Sequence, residues 1–311
     1  MKILKRIGLG LLLLIGVFLL LGFYYLGSEP VPEETDFTID LPALRALAGT
    51  ESATDQLPIE IRYEIIASGE LPRGLIMAGE GFEPTAMPRP VFQVVYADGH
   101  TILIDSAYDR TLHEAGAPSE SFDDAAWENL VVAMEAAEQI VVTHEHSDHL
   151  GGVLKHPRPE RLIRSLRLTE EQLSTRGDIF AVLPESIRSK LTPVQYADML
   201  AIAPGVVLKK ARGHTPGSQM VFVALANGNE LLFVGDVVWN FDAVTQLKYR
   251  PRLITDLFLG EDRAAVLAQI RALRIRADAG DVPIVVSHDR RTFTHPGLRT
   301  GFVTTRMTPP S

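Results

Sequence analysis

Hydrophobic and polar positions change their rhythm three times along the chain. Residues 7–26 form an uncharged, Leu-rich run broken only by Gly8, Gly10, Gly16 and Gly22, long enough to cross a bilayer core of about 30 Å as one helix. Residues 28–58 lose that character. Glu29-Pro30-Val31-Pro32-Glu33-Glu34 is too proline-rich and acidic for regular structure, and only Asp40-Leu41-Pro42 offers a cap for a short helix through Leu44, Leu47 and Ala48. From residue 59 onward strands and helices alternate. Residues 59–67 alternate as a strand, residues 91–97 and 101–107 flank the hairpin signal Asp98-Gly99, and residues 219–225 and 230–234 flank Asn227-Gly228-Asn229. Helical spacing falls at residues 122–138, 192–201 and 262–277, and no short repeat is present.

This order predicts an α/β (α+β) fold of layered sheets with outer helices. The expected organisation is a membrane anchor over residues 1–28, a tether over 29–58 that spaces the body from the membrane, and a catalytic domain over 59–311. Lys2, Lys5 and Arg6 precede the apolar run, so the positive-inside bias puts them in the cytoplasm and the body on the periplasmic or outer side. Cleavage as a signal peptide is the alternative, leaving a secreted enzyme. The run exceeds an ordinary signal core, and Tyr25-Leu26-Gly27 is a poor cleavage site. Cysteine is absent, which excludes a lipid-acylated cysteine anchor. The formal net charge of −9 argues against a nucleic-acid-binding surface.

The chemistry concentrates in His144-Glu145-His146-Ser147-Asp148-His149, directly after Ile140-Val141-Val142. Alternate residues of an extended chain project the same way, so His144 and His146 can serve one metal ion as they leave a strand. Asp148 and His149 face elsewhere and can serve a second ion if a helix begins after Ser147. Gly151-Gly152 would let the backbone pass close to the site. Imidazole and carboxylate suit zinc, iron or manganese. Three further candidates each follow an apolar run: His214 in Gly213-His214-Thr215-Pro216-Gly217, Asp236 after Phe233-Val234-Gly235, and His288 after Val285-Val286-Ser287. Strand ends are where open α/β and layered folds tend to place their sites.

In order and residue type this set resembles the metallo-β-lactamase superfamily, over roughly residues 60–290, with short motifs similar to those of lactonases and glyoxalase-II-like members. The resemblance implies an αββα sandwich. It implies two divalent metal ions, zinc by default: His144, His146 and His214 on the first, Asp148, His149 and His288 on the second, and Asp236 bridging both. Asp105, after Ile102-Leu103-Ile104, matches an early Asp that supports the metal loop. The implied reaction is hydrolysis by a metal-bridging hydroxide, with Asp148 or a metal-bound water passing a proton to the leaving group and no side-chain nucleophile.

An ester, lactone or thioester is the expected small-molecule substrate. The alternatives are a phosphodiesterase of the same fold and a non-catalytic metal-binding surface protein. A redox member is disfavoured because His146 stands where diiron relatives carry Glu. Substrate choice is expected in two intervening segments. Residues 155–176 hold Lys155, Arg158, Arg161, Arg164 and Arg167, either a solvated face or a basic lid. Residues 239–252 hold Trp239, Phe241, Tyr249 and Arg250. His100 and His113 are expected to be structural, and His156 and His295 could reach a pocket rim.

Overall fold

A computed structural model describes residues 2–50, 54–116, 120–174 and 183–304. The first helix, α1, runs over Lys2–Leu26 and meets the body at its C-terminal end, where Arg252 lies 4.9 Å over the Tyr24 ring. Its stretch Arg6–Leu26 is long and apolar enough to cross a membrane, with a mean hydropathy of 2.6 and none of it buried.

The strands are β1 (Glu60–Pro72), β2 (Pro84–Val95), β3 (Thr101–Ile104), β4 (Ser121–Phe122), β5 (Gln139–Val141), β6 (Met199–Ala203), β7 (Val206–Lys210), β8 (Gln219–Ala224), β9 (Glu230–Phe233), β10 (Ile284–Val285) and β11 (Leu298–Thr300). One sheet runs β11-β1-β2-β3-β5 with β4 beside β1, and the other runs β10-β9-β8-β7-β6. Their period-two alternation feeds three cores at once. Phe92, Val94, Ile102 and Ile104 of the first sheet meet Val206, Leu208, Val221 and Val223 of the second in the middle layer. The intervening residues point outward. Val91 and Leu103 meet Leu130 and Met134 on helix Asp124–Ala136, while Val207, Met220 and Phe222 meet Val266, Ile270 and Leu273 on helix Arg263–Ala279. Helices cover both outer faces, which is the αββα layout.

Three expectations need correction. Residues 192–201 are not a helix. The stretch enters β6, which turns at Pro204-Gly205, with Gly205 at φ 79, and pairs antiparallel with β7. The Pro-Gly hairpin signal outweighs the apolar spacing that suggested a helix. The strand expected over 101–107 ends at Ile104, because Asp105 and Ala107 adopt φ 67 and 47, the left-handed region.

The expected tether is not free. Asp40 caps helix α2 (Leu41–Ala48) as foreseen, accepting from Ala43 N at 3.1 Å. Val31, Ile39, Leu41, Leu44 and Ala48 are then buried against the second sheet and helix Arg263–Ala279. Enough apolar residues punctuate the proline-rich segment to fasten it along the body.

Candidate functional site

The site forms at one end of the two sheets, where strands stop and their loops converge. After β5 the chain runs extended through Thr143 to His146, and a helix begins at Ser147 (Ser147–Lys155). The turn into that helix separates the two halves of the hexapeptide. His144 Nε2 lies 3.0 Å from His146 Nδ1, while Asp148 and His149 sit in the first helical turn. A close approach fixes this helix: a Cβ on Gly152 would lie 1.9 Å from the carbonyl oxygen of Ser106, so only glycine fits.

His214, Asp236 and His288 all join the hexapeptide. His144, His146, His214 and Asp236 form one group and Asp148, His149 and His288 a second, with the donor atoms of each group within 4.8 Å of one another. His214 Nε2 lies 2.9 Å from His146 Nδ1. Asp236 stands between the groups. Its Oδ2 faces His214 Nε2 at 3.6 Å and His144 Nε2 at 3.9 Å, and its Oδ1 faces His288 Nε2 at 3.1 Å and His149 Nε2 at 3.3 Å.

Four of the five imidazoles are oriented from behind. His149 Nδ1 donates to Asp105 Oδ2 at 2.9 Å, His288 Nδ1 to the Pro88 carbonyl at 2.7 Å, and His214 Nδ1 to Glu261 Oε1 at 2.5 Å. His144 Nδ1 donates to Thr143 Oγ1 at 3.1 Å, and Asp105 also accepts from Thr143 N at 2.6 Å. Protonation at Nδ1 leaves Nε2 of these four rings as a lone pair aimed inward.

The donor set fits divalent ions. Nitrogens bonded at about 2.0–2.1 Å around a tetrahedral ion lie about 3.3 Å apart, close to the spacing of these ring nitrogens. Asp236 Oδ1 is buried with no hydrogen-bond partner, an arrangement that costs free energy unless a cation fills it. Asp236 is held well below the usual carboxylate range: burial opposes this, but the imidazoles of His288, His149 and His144, when they carry a proton on both nitrogens, outweigh it. His146 is pushed down to about 3, first by burial and then by His214. A neutral imidazole is the ligand form.

Four supporting residues escaped the sequence reading. Glu145 points away from His144 and His146, as strand alternation requires, and accepts from Thr215 Oγ1 at 2.7 Å and Gly217 N at 3.1 Å, tying the hexapeptide to the His214 loop. Gln172 reaches the same loop, donating to the carbonyls of Val142 at 3.1 Å and Gly217 at 2.9 Å. Glu261 accepts from His214, from the buried Arg250 at 2.6 Å and from the Tyr249 hydroxyl. Burial raises its pKa, but Arg250 and His214 together draw it down to about 2. Arg89, a lone charge in the apolar Pro88-Arg89-Pro90 run of β2, lies with Nε 3.1 Å from Asp148 Oδ2. Opposite it, β1 shifts register between Ile65 and Ala67. A charge inside an apolar strand is the signal that could have revealed Arg89; nothing local marks Glu261.

The segment at 239–252 reaches the site as anticipated. Trp239 Nε1 donates to Asp236 Oδ2 at 2.7 Å, and Arg250 lies 4.7 Å above the Trp239 ring. The basic stretch at 155–176 behaves as a solvated face: Arg158 and Arg161 pair with Glu135 at 2.6 and 2.9 Å. Residues 175–176 of it lie outside the described residues. The other histidines stay out of the cluster. His100 stacks on Tyr96, His113 Nε2 donates to the Glu120 carbonyl, and His156 Nδ1 accepts from Arg158 N. His295 lines a separate cavity of about 240 Å³ with Phe241 and Asp289.

Comparison with known proteins agrees with this architecture. No curated protein matches the sequence. A quorum-quenching N-acyl homoserine lactone lactonase superposes with a TM-score of 0.59 at 15% identity, covering 76% of this chain and 95% of that one. An N-acyl homoserine lactone hydrolase with the product N-hexanoyl-L-homoserine at its catalytic metal center gives 0.59 at 14%, covering 76% and 96%. A probable metal-dependent hydrolase from Staphylococcus aureus gives 0.56 at 15%, covering 75% and 90%. At these identities the likeness is one of fold. Residues 86–288 match the family described as the metallo-beta-lactamase superfamily, a span that includes all seven clustered side chains. The chain belongs to the metallo-β-lactamase superfamily of hydrolases.

Proposed function

We propose that this chain is a dinuclear metal-dependent hydrolase of esters, lactones or thioesters, anchored in a membrane with its body on the extracytoplasmic side. The observation that carries the two-ion reading is the divided carboxylate of Asp236, one oxygen turned to His144 and His214 and the other to His149 and His288. On this reading His144, His146 and His214 hold the first ion, Asp148, His149 and His288 the second, and Asp236 both. Two such ions, zinc by our default assignment, would supply an acidified water near neutral pH and a Lewis acid for the substrate oxygen.

The remaining work belongs to the chain. Asp148 is the one member of the cluster with an open edge, its side chain 24% exposed, so it is the carboxylate placed to carry a proton to a leaving group. Burial raises its pKa, but His149, His288 and Arg89 hold it below the usual range. Asp105, Glu261 and the Pro88 carbonyl keep three rings in the tautomer that binds. Trp239 donates its indole N–H to Asp236 Oδ2 at 2.7 Å and so helps to orient that carboxylate. The acyl preference is supported by the lactonases that share this fold, in two of which the substrate or product is an acyl homoserine compound by name. The anchor is supported by the apolar helix and by the basic residues that precede it.

Elemental analysis and turnover of the purified full chain test the proposal together. Two ions per chain are expected, falling in Asp236→Asn, with turnover reduced at least about 100-fold. Esters, lactones, thioesters, β-lactams and phosphodiesters should be assayed side by side. Preferential turnover of a phosphodiester overturns the acyl assignment, and no turnover of any class with two ions bound favours a metal-binding surface protein.

A further inference from the structure

The end of α1 is fastened to the body through Tyr24 and Glu29. Glu29 accepts from Arg263 Nε and Nη2 at 3.0 and 2.7 Å and from Arg252 Nη2 at 3.0 Å, and the Arg252 guanidinium lies 4.9 Å over the Tyr24 ring. On another side Gly79 comes up to Ser28, where a Cβ would sit 3.9 Å from that of Ser28. Two segments therefore flank the helix end: the loop at 79–83 and the turn Thr255–Leu259 that follows Arg252–Ile254. Each raises large apolar side chains into open surroundings, Phe82 at 83%, Leu257 at 57% and Phe258 at 65% exposure. Among the described residues outside α1 these are the three most exposed large apolar side chains, and all three belong to segments beside the same helix end.

From this juxtaposition we infer that Phe82, Leu257 and Phe258 form an apolar collar that seats in the lipid leaflet around the end of α1. The inference rests on the reading of α1 as a membrane span. The occupant is a phospholipid bilayer, because the surface is continuous with the only described helix apolar enough to lie in one. The charges beneath the collar are already paired. Glu80 and Glu83 face Arg73 at 3.2 and 3.6 Å, and Asp256 faces Arg252 at 3.2 Å. Seating is therefore apolar, not an attraction to anionic headgroups.

The collar adjoins the reactive end of the body. Leu259 and Gly260, next along the chain, line a cavity of about 410 Å³ together with Gly213 and His214. A seated collar holds this cavity at the lipid surface, where an amphiphilic acyl substrate concentrates.

The chain has no cysteine, so single-cysteine variants of the full protein in phosphatidylcholine nanodiscs can each carry one environment-sensitive fluorophore. Leu14→Cys reports on the span, and Phe82→Cys, Leu257→Cys and Phe258→Cys on the collar. Asn227→Cys is the reference, exposed on the β8–β9 turn at the far end of the second sheet from His214. The collar and Leu14→Cys labels should lose emission to a nitroxide lipid and resist aqueous iodide, with the reference showing the opposite. Replacing half of the lipid with phosphatidylserine should leave that pattern unchanged. If Leu14→Cys meets lipid while the three collar labels behave like the reference, the collar is overturned and the span stands. If Leu14→Cys itself behaves like the reference, the spanning reading falls and the collar with it. Lipid contact that appears only with phosphatidylserine overturns apolar seating.

Discussion

Asp236 receives an indole N–H on one oxygen and faces four imidazoles, so its surroundings, not its own chemistry, decide what it can hold. The same is true one step further out at Glu261. Its carboxylate neutralises the buried Arg250 and fixes His214, and Glu261→Gln should weaken metal binding about 10- to 100-fold in a titration against a competing chelator. It also has a signature in pH. The folded pKa of about 2 lies below the ordinary 4.5. The stabilisation it gives is thus complete above pH 4.5 and lost as pH falls towards 2, on the order of 3 kcal/mol. Over that window denaturant unfolding should show the wild-type losing stability that Glu261→Gln does not lose. At Gly152, substitution by Ala forces a Cβ against Ser106 and should cost about 1–3 kcal/mol or more in the same assay. The four hexapeptide residues were legible because ligand chemistry needs particular side chains at close spacing, and His214, Asp236 and His288 because each follows an apolar run in the order the family resemblance implies. Glu261 was not, because its partner His214 is distant in sequence and any carboxylate on a loop looks alike until the fold closes.

At the scale of elements, legibility followed how local the signal was. The hairpin around Gly99, the cap at Asp40 and the helix Arg263–Ala279 with Asp262 at its N-terminus all carry their instructions within a few residues. Strand β6 does not. Its apolar residues satisfy helical spacing as well as alternation, and pairing with β7 decides between them. The segment ahead of β1 misled for another reason: composition marked it as a spacer, yet Leu44 is completely buried against the second sheet. Leu44→Ala should therefore lower the unfolding free energy by about 2–5 kcal/mol, the range for an internal leucine, where a free tether would show no change.

The whole molecule joins two sheets, an apolar helix and a metal-type cluster in which each part constrains the next. Gathering so many ring nitrogens and carboxylates in a buried place is unfavourable without cations, so chelation should lower the unfolding temperature and abolish turnover, with both restored by added zinc or another suitable divalent ion. The contact between Trp239 and Asp236 gives that experiment an optical readout. The chain has two tryptophans; Trp127, a residue of helix Asp124–Ala136, packs against the first sheet's outer core, and Trp239 hydrogen-bonds the central carboxylate. Redistribution of charge on that carboxylate alters the electric field along the indole, so filling and emptying of the centre should shift the protein's ultraviolet emission. The shift should persist in Trp127→Phe and vanish in Trp239→Phe. Nature has left a spectroscopic probe bonded to the atoms whose occupancy an experimenter would most want to watch.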